Sequence, residues 1–223
     1  QLEEESNLIA SGLLHYGLKK GDRVLVMVPY GVDFVTLTFG LFKAGAVPVL
    51  IDPGLGKKNV LRCIKQSEPQ GIIAIPLVHA VKTLIPAPFK SIRLSVTVGR
   101  KWFWRGPTLD QVKRNGQPGY QVGNIPEEQA AAVLFTSGST GPAKGVLYTH
   151  GMFGQQIRIL CEHFGILPGE KDLPTFPLFG LFSTGMGMTS VIPDMDPTHP
   201  AKVNPENIIH PIQNYHITSS FGS

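Results

Sequence analysis

Cysteine is nearly missing from this sequence: 223 residues contain only Cys63 and Cys161, far apart and with no CxxC spacing. That scarcity argues against a disulfide framework or a zinc module and makes a reducing cytoplasm the expected compartment. Charge is sparse as well, at 16% of residues, and close to balanced, since 20 Lys and Arg face 16 Asp and Glu for a formal +4. So small an excess is no polycation, and no nucleic-acid partner is expected. A bilayer-spanning run is also lacking, because the most apolar stretch, 34–51, holds Lys43 and Pro48 and is flanked by Asp33 and Asp52. Peripheral contact with a membrane stays open. The opening Gln1-Leu2-Glu3-Glu4-Glu5 has no basic n-region, so no signal peptide is expected. None of the seven histidines forms HExxH or pairs with a cysteine at ligand spacing, and no protein metal site is expected.

What remains is a globular composition, 42% hydrophobic with 25 Gly and 19 Pro, able to bury roughly 70% of its unfolded surface. Helical periodicity over 2–16 ends at Gly17 and the turn Lys19-Lys20-Gly21-Asp22, and 23–28 is apolar on both faces, as in a strand covered on both sides. A helix over 32–43 closed by Gly45, a strand 47–51 stopped by Asp52-Pro53, a helix 58–66 and a strand 71–75 continue the alternation. Strand and helix at this pace define an α/β fold with a mainly parallel sheet. Residues 85–125 are less regular, with a strand at 94–98. A seam near Gly123 divides an expected first α/β subdomain, 1–124, from a second, 125–223. In the second, strands are expected at 130–135, 146–149, 173–176 and 191–192, helices at 152–164, 181–189 and 205–215, and a last strand at the end. The helix-like start and strand-like finish, Ile217 to Ser223, lead us to expect a piece of a longer protein.

The most informative residues are Thr136-Ser137-Gly138-Ser139-Thr140-Gly141-Pro142-Ala143-Lys144-Gly145. Glycines allow tight turns that expose amide N–H groups, four hydroxyls add donors, and Lys144 adds a mobile positive charge, which together suit a cradle for phosphate oxygens. A Walker A loop counted from Gly138 needs Gly at 143 and a hydroxyl at 145, where this chain has Ala143 and Gly145. The loop also runs from strand to strand. Without a helix N-terminus to attract the anion, side-chain hydroxyls must supply the missing donors. The plainer alternative is a flexible Ser/Gly turn.

Read with Ala132-Val133-Leu134-Phe135 before it and Val146-Leu147-Tyr148-Thr149-His150 after it, this segment resembles the signature phosphate loop of the adenylate-forming superfamily, which includes acyl-CoA synthetases, luciferases and peptide-synthetase adenylation domains. Gly21-Asp22-Arg23-Val24 with Pro29, the run from Phe39 to Pro53, and Phe176-Pro177-Leu178-Phe179 are similar to further segments of that superfamily, the last to the aromatic motif bordering the acyl and adenine pockets. The resemblance implies part of the large N-terminal domain, with layered, mainly parallel sheets and flanking helices. It implies ATP and Mg2+ as cofactors, a fatty-acid substrate, acyl-AMP formation with release of pyrophosphate, and a C-terminal part of the same chain that carries the adenine, ribose and lid-lysine motifs. Thr136, Ser137, Gly138, Ser139, Thr140, Gly141, Lys144 and Gly145 would bind the ATP phosphates, Lys144 with the catalytic role of offsetting their charge, and Phe179 and Gly180 would line the substrate pocket.

Phe176 to Phe182, Ile192-Pro193-Asp194-Met195-Asp196-Pro197 and Phe221-Gly222-Ser223 resemble more narrowly the β-lactone synthetases of bacterial long-chain olefin biosynthesis, once grouped with fatty acid CoA ligases. Gly180 stands where acyl-CoA synthetases usually have His, which favours the lactone branch over CoA transfer. A fatty acid CoA ligase using the same adenylation step, with CoA as second substrate, is the alternative, and a non-catalytic nucleotide- or lipid-binding module a further one. Among other segments, Gly185-Met186-Gly187 fits close helix packing or a narrow lipid pocket better than half a dinucleotide fingerprint, Asp194 and Asp196 fit a turn better than a metal pair, and His150 fits a helix start. Arg100-Lys101-Trp102-Phe103-Trp104-Arg105 has the composition of a nucleic-acid stacking surface or an interfacial membrane anchor, although a solvated loop with its aromatics tucked inward is the simpler expectation.

Overall fold

The computed structural model describes residues 1–136 and 143–221. The chain divides into two compact units, residues 1–150 and 151–223. In the first, the strands β1 (Arg23–Met27), β2 (Val47–Ile51), β3 (Gly71–Ala74), β4 (Leu94–Thr97), β5 (Ala130–Thr136) and β6 (Lys144–Thr149) form one sheet in the order β4-β3-β1-β2-β5-β6. Neighbouring strands from β4 to β5 run parallel and only the edge strand β6 is antiparallel. The apolar runs explain this, since Leu25, Val49, Ile72 and Ala131 are fully buried inside a sheet with helices on both faces.

Helices α1 (Leu2–His15), α2 (Val32–Lys43), α3 (Lys57–Ser67), α4 (Pro76–Leu84) and α5 (Leu109–Arg114) complete this unit. From β1 the chain steps one way to β2 and then back across to β3, so right-handed crossovers put α2 and α3 on opposite faces. Helix α1 packs on α2 and α5. Its Gly12 permits this, because a Cβ there would lie 2.1 Å from the Val112 carbonyl oxygen. On the other face, Val60, Cys63 and Ile64 of α3 join Leu25, Val49, Ile72 and Phe135 in one core.

The second unit contains most of α6 (His150–Phe164), then β7 (Lys171–Pro174), α7 (Pro177–Gly185), β8 (Thr189–Ser190), α8 (Glu206–Tyr215) and β9 (Ser219–Phe221), with a parallel sheet β8-β7-β9. Three differences from expectation have physical causes. Helix α4 occupies residues for which no element was expected, and α5 lies within the stretch 85–125 read as less regular. Helix α7 begins at Pro177 and ends at Gly185 rather than spanning 181–189, because Pro occupies its first turn, where no N–H is needed, and Gly187 turns left-handed at φ 78°. The division at 150/151 differs from the seam expected after 124, because β5 returns to pair with β2 and carries β6 with it into the first sheet.

Candidate functional site

Residues Ala131, Ala132, Leu134 and Phe135 of β5 are buried, and Val49, Leu50 and Ile51 of β2 pair with Val133, Leu134 and Phe135. Parallel pairing brings the carboxyl ends of β1, β2 and β5 to one edge of the sheet, where α/β proteins take their ligands. Asp52 leaves β2 at this edge, with its carboxylate accepting from Gly54 N at 2.8 Å. Strand β5 then pairs antiparallel with β6, and the register sets Thr136 directly opposite Lys144. The loop therefore does run from strand to strand, with a hydroxyl residue and a lysine at its neck. Ser137, Gly138, Ser139, Thr140 and Gly141 lie outside the described residues. Lys144 is exposed. At Gly145, facing Phe135, a Cβ would stand 3.0 Å from the ring, so glycine lets β6 lie close over that side chain. His150 opens α6, as its place after the loop suggested, and meets Phe42 edge-on at 5.5 Å. Burial holds its imidazole below the ordinary range, so it favours the neutral form.

The other predicted site residues belong to the second unit. Phe179, in the first turn of α7, stacks on Phe221 of β9 at 3.7 Å and 14° and has Phe176 and Phe182 beside it. Gly180 is buried, and its carbonyl oxygen accepts from Thr184 Oγ1 at 2.9 Å. A feature that sequence reasoning missed holds this helix. The Asp172 carboxylate of β7 is 6% exposed and accepts hydrogen bonds from Ser183 Oγ of α7 and from Ser219 Oγ of β9, the latter at 2.8 Å. Ser183 Oγ, itself 1% exposed, also lies 2.8 Å from the Phe179 carbonyl oxygen. One carboxylate thus ties together the three elements around Phe179. A lone Asp inside Lys171-Asp172-Leu173 gives no periodic signal by which to find it.

The remaining candidates resolve into local structure. Asp196 closes a turn, accepting from Thr198 N at 2.9 Å and Thr198 Oγ1 at 2.7 Å, with His199 Nδ1 3.0 Å away. The Thr198 hydrogen bonds, with a smaller contribution from His199, lower its pKa to about 2. Gly185 faces Ile157 of α6, with 2.7 Å between the position of a Cβ and Ile157 Cδ1, which is close helix packing. Among the described residues, no group of three or more His, Cys, Asp or Glu is assembled to hold a metal ion. No helix there is long and apolar enough to cross a membrane.

In sequence, β5 and β6 flank the hydroxyl- and glycine-rich residues 137–142, and an aromatic helix start follows at α7. Residues 1–222 match the AMP-binding enzyme family, and the chain belongs to that family. It is 45% identical over 224 residues to an olefin beta-lactone synthetase of Stenotrophomonas maltophilia (strain K279a), matching 100% of this chain and 40% of that relative. The chain thus spans about 40% of the length of that curated relative. Among solved structures, a long-chain-fatty-acid-CoA ligase from Archaeoglobus fulgidus superposes with a TM-score of 0.82 at 24% identity, over 97% of this chain and 43% of that one. An anthranilate CoA ligase in complex with anthranoyl-AMP superposes with a TM-score of 0.85 at 18% identity, over 100% of this chain and 44% of that one. These two likenesses show that the chain shares its fold with part of those ligases.

Proposed function

We propose that the protein containing this chain activates a fatty acid, specifically a 2-alkyl-3-hydroxy acid, as acyl-AMP and then closes it to a β-lactone. The observation that carries this reading is the 45% identity, over the whole of this chain, to an olefin beta-lactone synthetase. In the first step a carboxylate oxygen attacks the α-phosphorus of ATP and pyrophosphate leaves. Two anions must be held together while negative charge grows on the leaving group, which calls for positioned donors and a cation. Thr136, Ser137, Gly138, Ser139, Thr140 and Gly141 would cradle the β- and γ-phosphates, with Gly145 keeping the strand close and Lys144 offsetting their charge. Mg2+ would enter with ATP as part of the substrate, and no residue of this chain is assigned to it. In the second step the substrate's own β-hydroxyl oxygen attacks the acyl carbonyl carbon, the hydroxyl proton is lost, and AMP leaves as the four-membered ring closes. No second substrate is needed, because the nucleophile is already tethered near the carbonyl. Phe179 would border the acyl pocket, and the small Gly180 suits a substrate branched beside its carboxylate.

The test is the product. The full natural chain, given ATP, Mg2+ and a 2-alkyl-3-hydroxy acid, should consume ATP without CoA and release a β-lactone identified by NMR or mass spectrometry. Conversion of straight-chain fatty acids only when CoA is present, with accumulation of the thioester, would replace the lactone reading with a CoA ligase.

A further inference from the structure

Between Glu68 and Asp110 the chain carries Lys82, Lys90, Arg93, Arg100, Lys101 and Arg105 and not one Asp or Glu. Taking these six from the 20 basic residues leaves 14 against 16 acids in the rest, so the formal excess of positive charge belongs entirely to this stretch. Arg93 is neutralised by Asp22, and Lys82 is turned onto Ser95 Oγ at 2.6 Å. Lys90, Arg100 and Arg105 face solvent.

Arg100 and Arg105 flank the aromatic tip of the loop 98–107, which leaves the edge strand β4. The loop is fastened at several points. Thr97 N donates to the Pro107 carbonyl at 3.0 Å, Trp104 Nε1 donates to Thr97 Oγ1 at 2.8 Å, and Lys101 Nζ donates to the Gly106 carbonyl at 2.7 Å. Gly106, at φ 107°, passes so near β4 that a Cβ would lie 2.0 Å from the Ser95 carbonyl oxygen. Trp104 is tucked inward and stacks on the buried His79 at 5.3 Å and 24°. Trp102 and Phe103, by contrast, are 54% and 73% exposed, contrary to the expectation that all three aromatics turn inward. A braced loop therefore presents a Trp and a Phe outward between two arginines. The same acid-free stretch also exposes the aliphatic side chains of Leu77, Leu84 and Ile85.

We propose that this loop is an interfacial docking surface for an anionic lipid bilayer, with Trp102 and Phe103 entering the headgroup boundary and Arg100 and Arg105 meeting lipid phosphates. Charge complementarity selects an anionic partner, and the outward aromatics select one with an apolar interior. A bilayer fits better than single-stranded RNA, because Trp102 is tilted by 42° against Trp104 and Phe103 is set edge-on to it, so the rings do not form a flat platform for successive bases. The inference goes beyond adenylation and does not rest on it.

The test is co-sedimentation of the full natural chain with vesicles of phosphatidylcholine alone or mixed with phosphatidylglycerol. Binding should require phosphatidylglycerol and weaken as salt is raised. Arg100→Gln with Arg105→Gln should lower partitioning about fivefold per arginine, and Trp102→Ser with Phe103→Ser by about tenfold or more, with the urea-unfolding midpoint unchanged in both. Failure of the unmodified chain to bind, as when the rest of the chain covers the loop, would overturn the proposal. So would equal binding to the two vesicle types, an aromatic variant that binds like the parent, or tighter binding to a single-stranded RNA than to vesicles. The unmodified chain's dependence on lipid charge decides the matter even if a variant misfolds.

Discussion

Removing the Asp172 carboxylate should loosen the whole surround of Phe179. Asp172 is buried and receives hydroxyl hydrogen bonds from Ser183 of α7 and Ser219 of β9. Hydrogen bonds to a charged group contribute about 1.5–3 kcal/mol each. Asp172→Ala strips both at once and leaves a small void, so a loss of about 3–5 kcal/mol is expected. Asp172→Asn keeps the shape. Its amide oxygen can still accept from Ser219, and its NH2 can donate to Ser183 Oγ, which can then donate to the Phe179 carbonyl, so a cost of about 1–2 kcal/mol is expected. Because Ser183 sits one turn beyond Phe179 on α7, the Ala variant should also raise KM for the acid substrate more than KM for ATP under the proposed function. Urea unfolding of the full natural chain, followed by circular dichroism, supplies the stability values. An Ala variant within about 0.5 kcal/mol of the parent, or Ala and Asn variants of equal stability, would refute the view that this carboxylate holds α7 and β9.

Gly12→Ala should cost about 1–3 kcal/mol or more, because its Cβ would meet the Val112 backbone oxygen at 2.1 Å, whereas Gly154→Ala in α6, with nothing within 4 Å, should be neutral or stabilising by up to about 1 kcal/mol; thermal unfolding of the pair checks the contrast. Stability should also fall on acidification. Burial holds the pKa of His79 below its ordinary 6.5, so the unfolded chain takes up a proton that the folded one refuses. This stabilising contribution is complete above about pH 6.5 and is lost as pH drops toward the lowered folded value. His79→Gln should flatten the stability profile between about pH 7 and 5, leaving the part due to His150; an unchanged slope would show that His79 does not titrate on unfolding.

Much of the first sheet was legible because β1, β2, β3 and β5 are buried on both faces, and their apolar runs carry no ambiguous alternation. Helix α4 was hidden because its polar residues point inward: His79 Nε2 lies 3.0 Å from the Val96 carbonyl and Lys82 reaches Ser95, so burial there does not follow hydrophobicity. Helix α5 is only six residues long, too short for periodicity to register, although Thr108 and Gln111 form the capping box that starts it. The start of α7 was misplaced because the apolar run 178–182 has no helical periodicity to mark it, and Pro177 serves as a first-turn residue. The boundary of the compact units at 150/151 follows from the pairing of β5 with β2 across a long intervening stretch, a nonlocal choice that local pattern does not encode. At the candidate site, the loop from Thr136 to Gly145 stood out because donors, turns and a lysine are concentrated in ten residues. Asp172 did not, since its importance comes from the two serines that distant elements bring to it.

The central claim is that the loop from Thr136 to Gly145 stabilises the charge that builds on ATP phosphates during activation of a carboxylic acid. Acid-dependent exchange of labelled pyrophosphate into ATP by the full natural chain measures that step alone, whichever product follows. Lys144→Ala, and Thr136→Ala combined with Ser139→Ala, should each slow exchange by one to several orders of magnitude while the protein stays folded, since such donors contribute about 3 kcal/mol or more to the transition state. Exchange at the parent's rate in all of these folded variants would contradict the account.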